Sequence, residues 1–288
     1  MGNICFPKGI SNKPDAFAAC GTRTVATLFD QINDTNRIKL WREAFRIVDD
    51  VFLPKHCRIK YEAVKQIVFK NVEINYEAYP TFGVTLDWDA YGSLSEETKN
   101  SAIRLFLVLS EMNDMYFSPI LPGMILMLMN YISEEEVYII ISSILENVDL
   151  YQKYLILNQR YEEAFIENLC TINRRFANSD NVHFSQLHPS LYGYILHAWM
   201  PAFFALSPSL DVNVRFFDAF VDRGFWLFAA FYVAYLNRYC RDLEYEMGTD
   251  DESNVSHVLE HIKTLSLDDV ELLLADSIHL TFAFDRPR

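Results

Sequence analysis

Apolar residues recur at helical spacing along most of the chain, and the alternating pattern of β-strands is scarce. The spacing predicts helices over 37–52, 95–112 and 266–280, and two helices within 211–240 that are separated by Gly224. The inward faces of the first two helices are predicted to be Ile38, Trp41, Phe45, Val48 and Phe52, and Ala102, Leu105, Phe106, Leu109 and Met112. The pattern therefore predicts one all-α domain of about ten to thirteen helices that begins near residue 22.

The stretch LPGMILMLMNYISEEEVY, residues 121–138, places an apolar run before three consecutive glutamates. Ser133 and Glu136 have the spacing of a capping box, in which each side chain accepts a hydrogen bond from the other residue's backbone N–H. A helix start at this point divides the stretch in two. We therefore expect one helix over 122–131 and another over 133–147.

Neither of the longest uncharged apolar runs is predicted to cross a membrane. The run 115–133 is interrupted by Pro119, Pro122 and Gly123. The run 224–237 spans about 14 residues, whereas a bilayer requires about 20. Both runs are predicted to be buried helices.

The acidic composition excludes several classes of function. The 288 residues carry a net charge of −14 and are 51% apolar, which allows one large domain or two small ones. A negative net charge, with lysines and arginines scattered along the chain, disfavours binding to nucleic acid. Five scattered cysteines without a CxxC pair, and the absence of HExxH, predict no disulfide framework and no metal site, and they are typical of a reducing cytosol. The sequence contains neither GxxxxGK[ST] nor GxGxxG, so no cofactor is predicted.

The first residues, MGNICFPKG, suggest a lipid anchor within a flexible segment that we place at 1–21. Removal of Met1 would expose Gly2 for myristoylation, and Cys5 is placed for palmitoylation. Two acyl chains hold a protein on a membrane stably, whereas one does so only marginally. Phe6 stands where the myristoylation pattern prefers Ser or Thr, so an ordinary flexible terminus remains the alternative.

Degenerate motifs in the first half of the chain follow the order known from a single protein family. FLPKHCRIKY keeps Pro54 and Arg58 of an opening G-I-P-x-x-x-R motif. LDWDAYG keeps Asp89 of an I-x-x-D-x-x-R motif. LPGM keeps Gly123 and Met124 of a Y-x-Q-G-M-N loop, and the same apolar helix and SEE turn follow it.

The segment 191–236 supports the same resemblance. The positions that match there are Trp199, Phe203, Arg215, Asp218, Phe220, Gly224, Leu227 and Phe228. Over roughly 52–280 the chain resembles the TBC domain, the all-helical module that acts as a GTPase-activating protein for Rab-type small GTPases in vesicle trafficking. The resemblance implies a TBC-like helical domain over 22–288, with Pro54, Arg58, Arg215, Asp218 and Gly224 as structural motif residues.

The two catalytic side chains of the family are missing. In TBC domains the Arg of I-x-x-D-x-x-R stabilises charge on the phosphoryl oxygens, and the Gln of Y-x-Q-G orients the attacking water. Here Gly92 and Pro122 occupy these positions. Glycine has no side chain, and proline has neither an amide side chain nor a backbone N–H. No catalytic residue is therefore predicted. The resemblance implies partner contact through Asp89, Gly92, Pro122, Gly123 and Met124.

Three hypotheses follow for the function. The first is a pseudo-GAP, a protein that binds or regulates a Rab-type GTPase without accelerating hydrolysis. The second is an active GTPase-activating protein whose catalytic group is a non-standard residue such as Arg104 or Lys99. The third is a helical scaffold for protein–protein interaction that is independent of GTPases. All three place the protein in the cytoplasm, and an acylated N-terminus would add peripheral attachment to membranes.

Overall fold

The computed structural model describes residues 31–47, 54–70, 74–86, 88–91, 94–155, 209–244 and 260–282. These residues form α-helices joined by turns and contain no β-strand, which confirms the all-α prediction. The helices are α1 (Arg37–Ala44), α2 (Pro54–Phe69), α3 (Glu96–Asn113), α4 (Leu121–Met129), α5 (Glu134–Glu146), α6 (Val148–Tyr154), α7 (Leu210–Arg223), α8 (Trp226–Glu244) and α9 (Leu267–Phe282). A short 3₁₀ helix, Trp88–Tyr91, lies before α3.

Polar side chains fix the starts of α3 and α5 where the sequence predicts them. The Ser95 side chain accepts a hydrogen bond from the Thr98 backbone N–H at the start of α3. Ser133 and Glu136 form the predicted capping box at the start of α5. Both caps satisfy backbone N–H groups that have no partner within the helix. The predicted boundaries are therefore confirmed to within one or two residues.

Replacing Ser133 by alanine should lower the free energy of unfolding by about 1 kcal/mol, because one N–H of the first turn of α5 loses its acceptor. Urea unfolding followed by circular dichroism would measure the change. Ser143→Ala is a suitable control, because its hydroxyl reaches Phe45 O only at 3.5 Å and caps no helix. Equal unfolding midpoints for Ser133→Ala and the unmodified protein would contradict the role of the cap.

The prediction of one continuous helix over 37–52 is wrong, because α1 ends at Ala44. Arg46 has a φ of 55°, in the left-handed region. The N–H of Ile47 bonds to Arg42 O at 2.9 Å, and the N–H of Arg46 bonds to Glu43 O at 3.0 Å. These two bonds form a Schellman motif, which closes a helix. The usual glycine is absent, so the sequence carries no obvious stop signal here.

Helix α4 packs on α3 and α5, and its residues Leu121–Leu128 are all buried. A helix that is hydrophobic on all sides belongs in a protein core or a membrane. None of the helices in the described ranges is long and apolar enough to span a bilayer. Here α8 packs on α9, α2 packs on α5, and α7 packs on both α9 and α1. The apolar run that opens LPGMILMLM is therefore a core helix, as predicted.

Candidate functional site

The 3₁₀ helix Trp88–Tyr91, which contains Asp89, is held against α3 by aromatic contacts. The indole N–H of Trp88 donates a hydrogen bond to the Tyr79 hydroxyl at 2.9 Å. The rings of both residues lie 6.3 Å from the ring of Phe106 in α3. Gly92, which follows this turn directly, lies outside the described residues. The turn is therefore anchored immediately before the position where the resemblance implies an arginine.

A close contact joins this region to the segment that leads into α4. The Ser118 N–H donates to Phe82 O at 2.9 Å. Gly83 has a φ of 86°, and a Cβ atom there would lie 2.5 Å from Cδ2 of Phe117. Only glycine adopts this conformation without strain and leaves room for the ring. The turn around Phe82 and Gly83 therefore lies against the segment 117–118 that leads into α4.

Pro122, Gly123 and Met124 form part of the first turn of α4, and all three are buried. Proline suits this turn, because its fixed φ is helical and the first N–H groups of a helix have no intrahelical acceptor. Met124 is 0% exposed. A partner that docks at this end would therefore meet the residues that surround these three, and contact with Met124 itself would require the turn to open.

Arg104, the proposed substitute for the missing arginine, is bound within the protein. Its guanidinium donates to both carboxylate oxygens of Glu134, at 3.0 and 2.5 Å, and to Ser101 Oγ at 2.7 Å. The hydroxyl of Tyr61 donates to the same carboxylate at 2.5 Å. The hydrogen bond to Glu134 raises the pKa of Arg104 above its usual value. Glu134 therefore holds this cation in place, at the start of α5.

Lys99, the other candidate, has one weak ion pair at the surface. Its ammonium group lies 3.3 Å from Glu96, three residues earlier in the first two turns of α3. A surface pair of this kind contributes about 0–1 kcal/mol and does not restrain the side chain. Lys99 is therefore movable, but a lysine lacks the planar fork of donors that arginine presents to a phosphate.

Asp218, a residue of the family motif, joins α7 to α1 inside the core. Its side chain is 0% exposed and accepts hydrogen bonds from Arg37 at 3.1 Å and from the Trp41 indole at 2.9 Å. Arg215 lies 3.5 Å from the same carboxylate. Burial raises the pKa of Asp218, and the bonds from Arg37 oppose that rise. Asp218 thus stabilises the packing of α7 on α1, and Arg215, the other motif residue, lies beside its carboxylate.

The remaining motif residues have different surroundings. Gly224 lies between α7 and α8 with a φ of 71°, against the carbonyl of Lys153 at the end of α6. Pro54 begins α2, and Arg58 lies on the exposed face of that helix.

Gly2 and Cys5 lie outside the described residues, so their acylation remains a prediction. No cluster of potential metal ligands occurs in the described ranges.

Two exposed apolar side chains near this region were not predicted. Met112, which was expected on the inward face of α3, is 42% exposed, and Tyr116 is 72% exposed. Met112 lies in the last turn of α3, and Tyr116 lies three residues beyond its end and directly precedes Phe117, which packs on Gly83. Helical spacing alone could not show their exposure, because α3 ends at Asn113 and the left-handed conformation of Asp114 then turns the chain away.

Comparison with solved structures identifies the architecture. The crystal structure of the TBC domain of Skywalker/TBC1D24 from Drosophila melanogaster, in complex with inositol(1,4,5)triphosphate, aligns with 88% of this chain and 89% of its own length. The TM-score is 0.57, and 17% of the residues are identical. The chain has a TBC-like fold.

A second crystal structure of the same Drosophila TBC domain gives a TM-score of 0.46 and 15% identity, over 76% of this chain and 78% of that one. No protein-family model matches the sequence. No curated protein sequence matches it either. The TBC-like fold rests on the first of these two structures, at an identity too low to carry an activity with it.

Proposed function

We propose that the chain binds a small GTPase of the Rab type without accelerating the hydrolysis of its GTP. One observation carries the proposal: Pro122, at the position of the glutamine in TBC domains, lies in the buried first turn of α4 within a TBC-like fold. A proline ring there can neither accept nor donate the hydrogen bonds that orient a water molecule. The scaffold thus keeps its helices and lacks this catalytic group.

The arginine position supports the same conclusion. Gly92 has no charge to place near the transferring phosphoryl group. An arginine finger accelerates hydrolysis in small GTPases by about 10³–10⁵-fold. Without the arginine and the glutamine, binding alone would leave the intrinsic hydrolysis rate of the GTPase nearly unchanged.

The active alternative would require Arg104 to leave its present partners. Its departure would remove the counter-ion of Glu134, whose side chain is only 13% exposed. Separating one partner from a fully buried ion pair costs about 3–5 kcal/mol, and this part-buried pair costs less, because water reaches both groups. This cost disfavours Arg104 as a finger.

We place the docking surface at the exposed pair Met112 and Tyr116, beside segments 79–91 and 117–124. Exposed tyrosines are frequent anchors of protein interfaces, because they bury a large area with few rotatable bonds. Acylation of Gly2 and Cys5 would hold the chain peripherally on a membrane. The resemblance to TBC domains supports partners that act in vesicle trafficking.

The test compares binding and hydrolysis for a panel of Rab-type GTPases. We expect at least one GTPase to bind in the GTP-analogue form and not in the GDP form, with a single-turnover hydrolysis rate that stays within about twofold of the intrinsic rate. Acceleration that Arg104→Ala abolishes would establish the active alternative. A crosslinked partner that ignores the nucleotide state, with no GTP-selective binder in the panel, would establish the scaffold alternative.

Replacing Tyr116 by alanine should weaken the binding of that GTPase by about 30-fold, since a central aromatic anchor contributes 2 kcal/mol or more. Isothermal titration calorimetry would measure the affinity. Leu210→Ala is the matched control, because Leu210 is also apolar and exposed, at 46%, but begins α7. Equal losses in the two variants would contradict this docking surface.

A further inference from the structure

Helix α2 and the residue after it carry a charge opposite to that of the rest of the protein. Residues 54–70 contain five basic residues and one acidic residue, which gives +4. The whole chain has a net charge of −14, so the other residues together carry −18. The basic residues are Lys55, Arg58, Lys60, Lys65 and Lys70. Such an asymmetry in so acidic a protein points to an anionic partner for this helix.

Most of these charges remain available to a partner. Lys65 pairs with Glu62 at 2.7 Å. The other basic residues are exposed and form no ion pair with any residue that the structure describes. These are Lys55, Arg58, Lys60 and Lys70. An isolated lysine or arginine at the surface is normal, but three of them on α2 and a fourth directly after it produce a local positive potential.

Apolar side chains lie along the same outer face. Ile59 and Ile67 are each 58% exposed, and Ala63 lies between them and is also exposed. The three residues are spaced four apart, so they form one stripe along the helix. The opposite face, which contains Cys57, Tyr61 and Val64, is buried against the protein. The outer face is thus an exposed apolar stripe with lysines beside it.

We propose that the outer face of α2 lies on an anionic lipid bilayer. The lysine ammonium groups would reach the phosphate and carboxylate groups of the lipids, while Ile59 and Ile67 enter the boundary between headgroups and acyl chains. A basic amphipathic helix is recognised by this chemistry without a pocket for one particular headgroup. The surface differs from the proposed GTPase-docking pair, and the proposal does not depend on GTPase binding.

The basic face of α2 would act together with the predicted acylation of Gly2 or Cys5 in membrane attachment. A single acyl chain binds a membrane only marginally, and a polybasic surface is one form of the second signal that makes attachment stable. Each lysine or arginine near an anionic surface contributes roughly a fivefold increase in partitioning. Helix α2 would therefore orient the protein on the membrane even where only one of the residues Gly2 and Cys5 is acylated.

The experiment is vesicle co-sedimentation of the full chain with Gly2→Ala, which removes myristoylation. We expect binding to phosphatidylcholine vesicles that contain about one-third phosphatidylserine, no binding to phosphatidylcholine alone, and a fall in binding when salt shortens the Debye length from about 10 Å to 3 Å. Binding that requires a phosphoinositide and is absent on phosphatidylserine vesicles would overturn the proposal. Two other results would also overturn it: no binding to either the phosphatidylserine-containing or the pure phosphatidylcholine vesicles, or equal binding to the two kinds of vesicle.

Two variants locate the binding on α2. Lys55→Glu with Lys60→Glu should lower partitioning by at least about 30-fold, and Ile59→Ser with Ile67→Ser by about tenfold. The control is Lys39→Glu with Lys263→Glu, which changes the net charge equally at exposed lysines elsewhere. Circular dichroism would confirm that all variants are folded; the altered side chains are exposed, so folding should be retained. A loss of binding in the control as large as in the α2 variants would overturn the proposal.

Discussion

Replacing Gly224 by alanine should lower the free energy of unfolding by about 3–5 kcal/mol. Gly224 has a φ of 71° and a ψ of −161°, a conformation that is almost restricted to glycine and costs other residues about 1–3 kcal/mol. The new Cβ would also overlap the carbonyl oxygen of Lys153. That oxygen belongs to the backbone and accepts the Phe225 N–H at 2.9 Å, so it cannot move without the end of α6. The overlap adds about 1–3 kcal/mol.

Chemical denaturation monitored by circular dichroism would measure the loss. Gly83→Ala is the matched control: its φ is also positive, at 86°, but the atoms nearest to the new Cβ belong to the Phe117 side chain. We therefore expect it to cost less than Gly224→Ala, about 1–3 kcal/mol. A smaller loss for Gly224→Ala than for Gly83→Ala would contradict the tight junction between α6 and the turn from α7 to α8.

Replacing Asp218 by alanine should destabilise the protein by about 3–5 kcal/mol, because it leaves the buried guanidinium of Arg37 without its counter-ion. Arg37 is 6% exposed, and its other carboxylate partner, Asp34, is 92% exposed in its side chain and therefore well hydrated. The Trp41 indole N–H would lose its acceptor at the same time. Both losses follow from the single carboxylate that joins α1 to α7.

A double substitution separates the pairing from the packing. Arg37→Leu with Asp218→Leu should cost less than Asp218→Ala alone, because no charge then remains buried without a partner. Asp276→Ala, at an exposed site of α9, is the control and should change stability by less than about 0.5 kcal/mol. If the double variant were less stable than Asp218→Ala, the ion pair itself would be the stabilising element and its desolvation cost would be small.

Local signals predicted much of the helical framework. The capping box of Ser133 and Glu136 places the start of α5, the apolar spacing places α3, and Gly224 separates α7 from α8. The same reasoning missed the end of α1, because a left-handed Arg46 closes that helix in place of the usual glycine. It also placed Met112 in the core, because periodicity does not show which turn of a helix extends beyond its neighbours.

The candidate site depended more on tertiary structure. The sequence shows that Gly92 and Pro122 cannot perform the chemistry of arginine and glutamine. It does not show that Pro122 is buried in the first turn of α4. Nor does it show that Arg104, the nearest substitute, already holds Glu134 in another helix. The first conclusion needs only the covalent chemistry of two side chains, whereas the others need the positions of their neighbours.

By itself the sequence determined the helical class, several helix starts and the presence of Gly92 and Pro122 at the two positions where the resemblance implies an arginine and a glutamine. These depend on residues within one or two turns of each other, where caps and periodic apolar positions act directly. Only the tertiary structure decided the pairing of Arg37 with Asp218, residues separated by 181 positions, and the exposure of the basic face of α2. Contacts of this kind arise when distant helices pack together, and no local pattern specifies which of them meet.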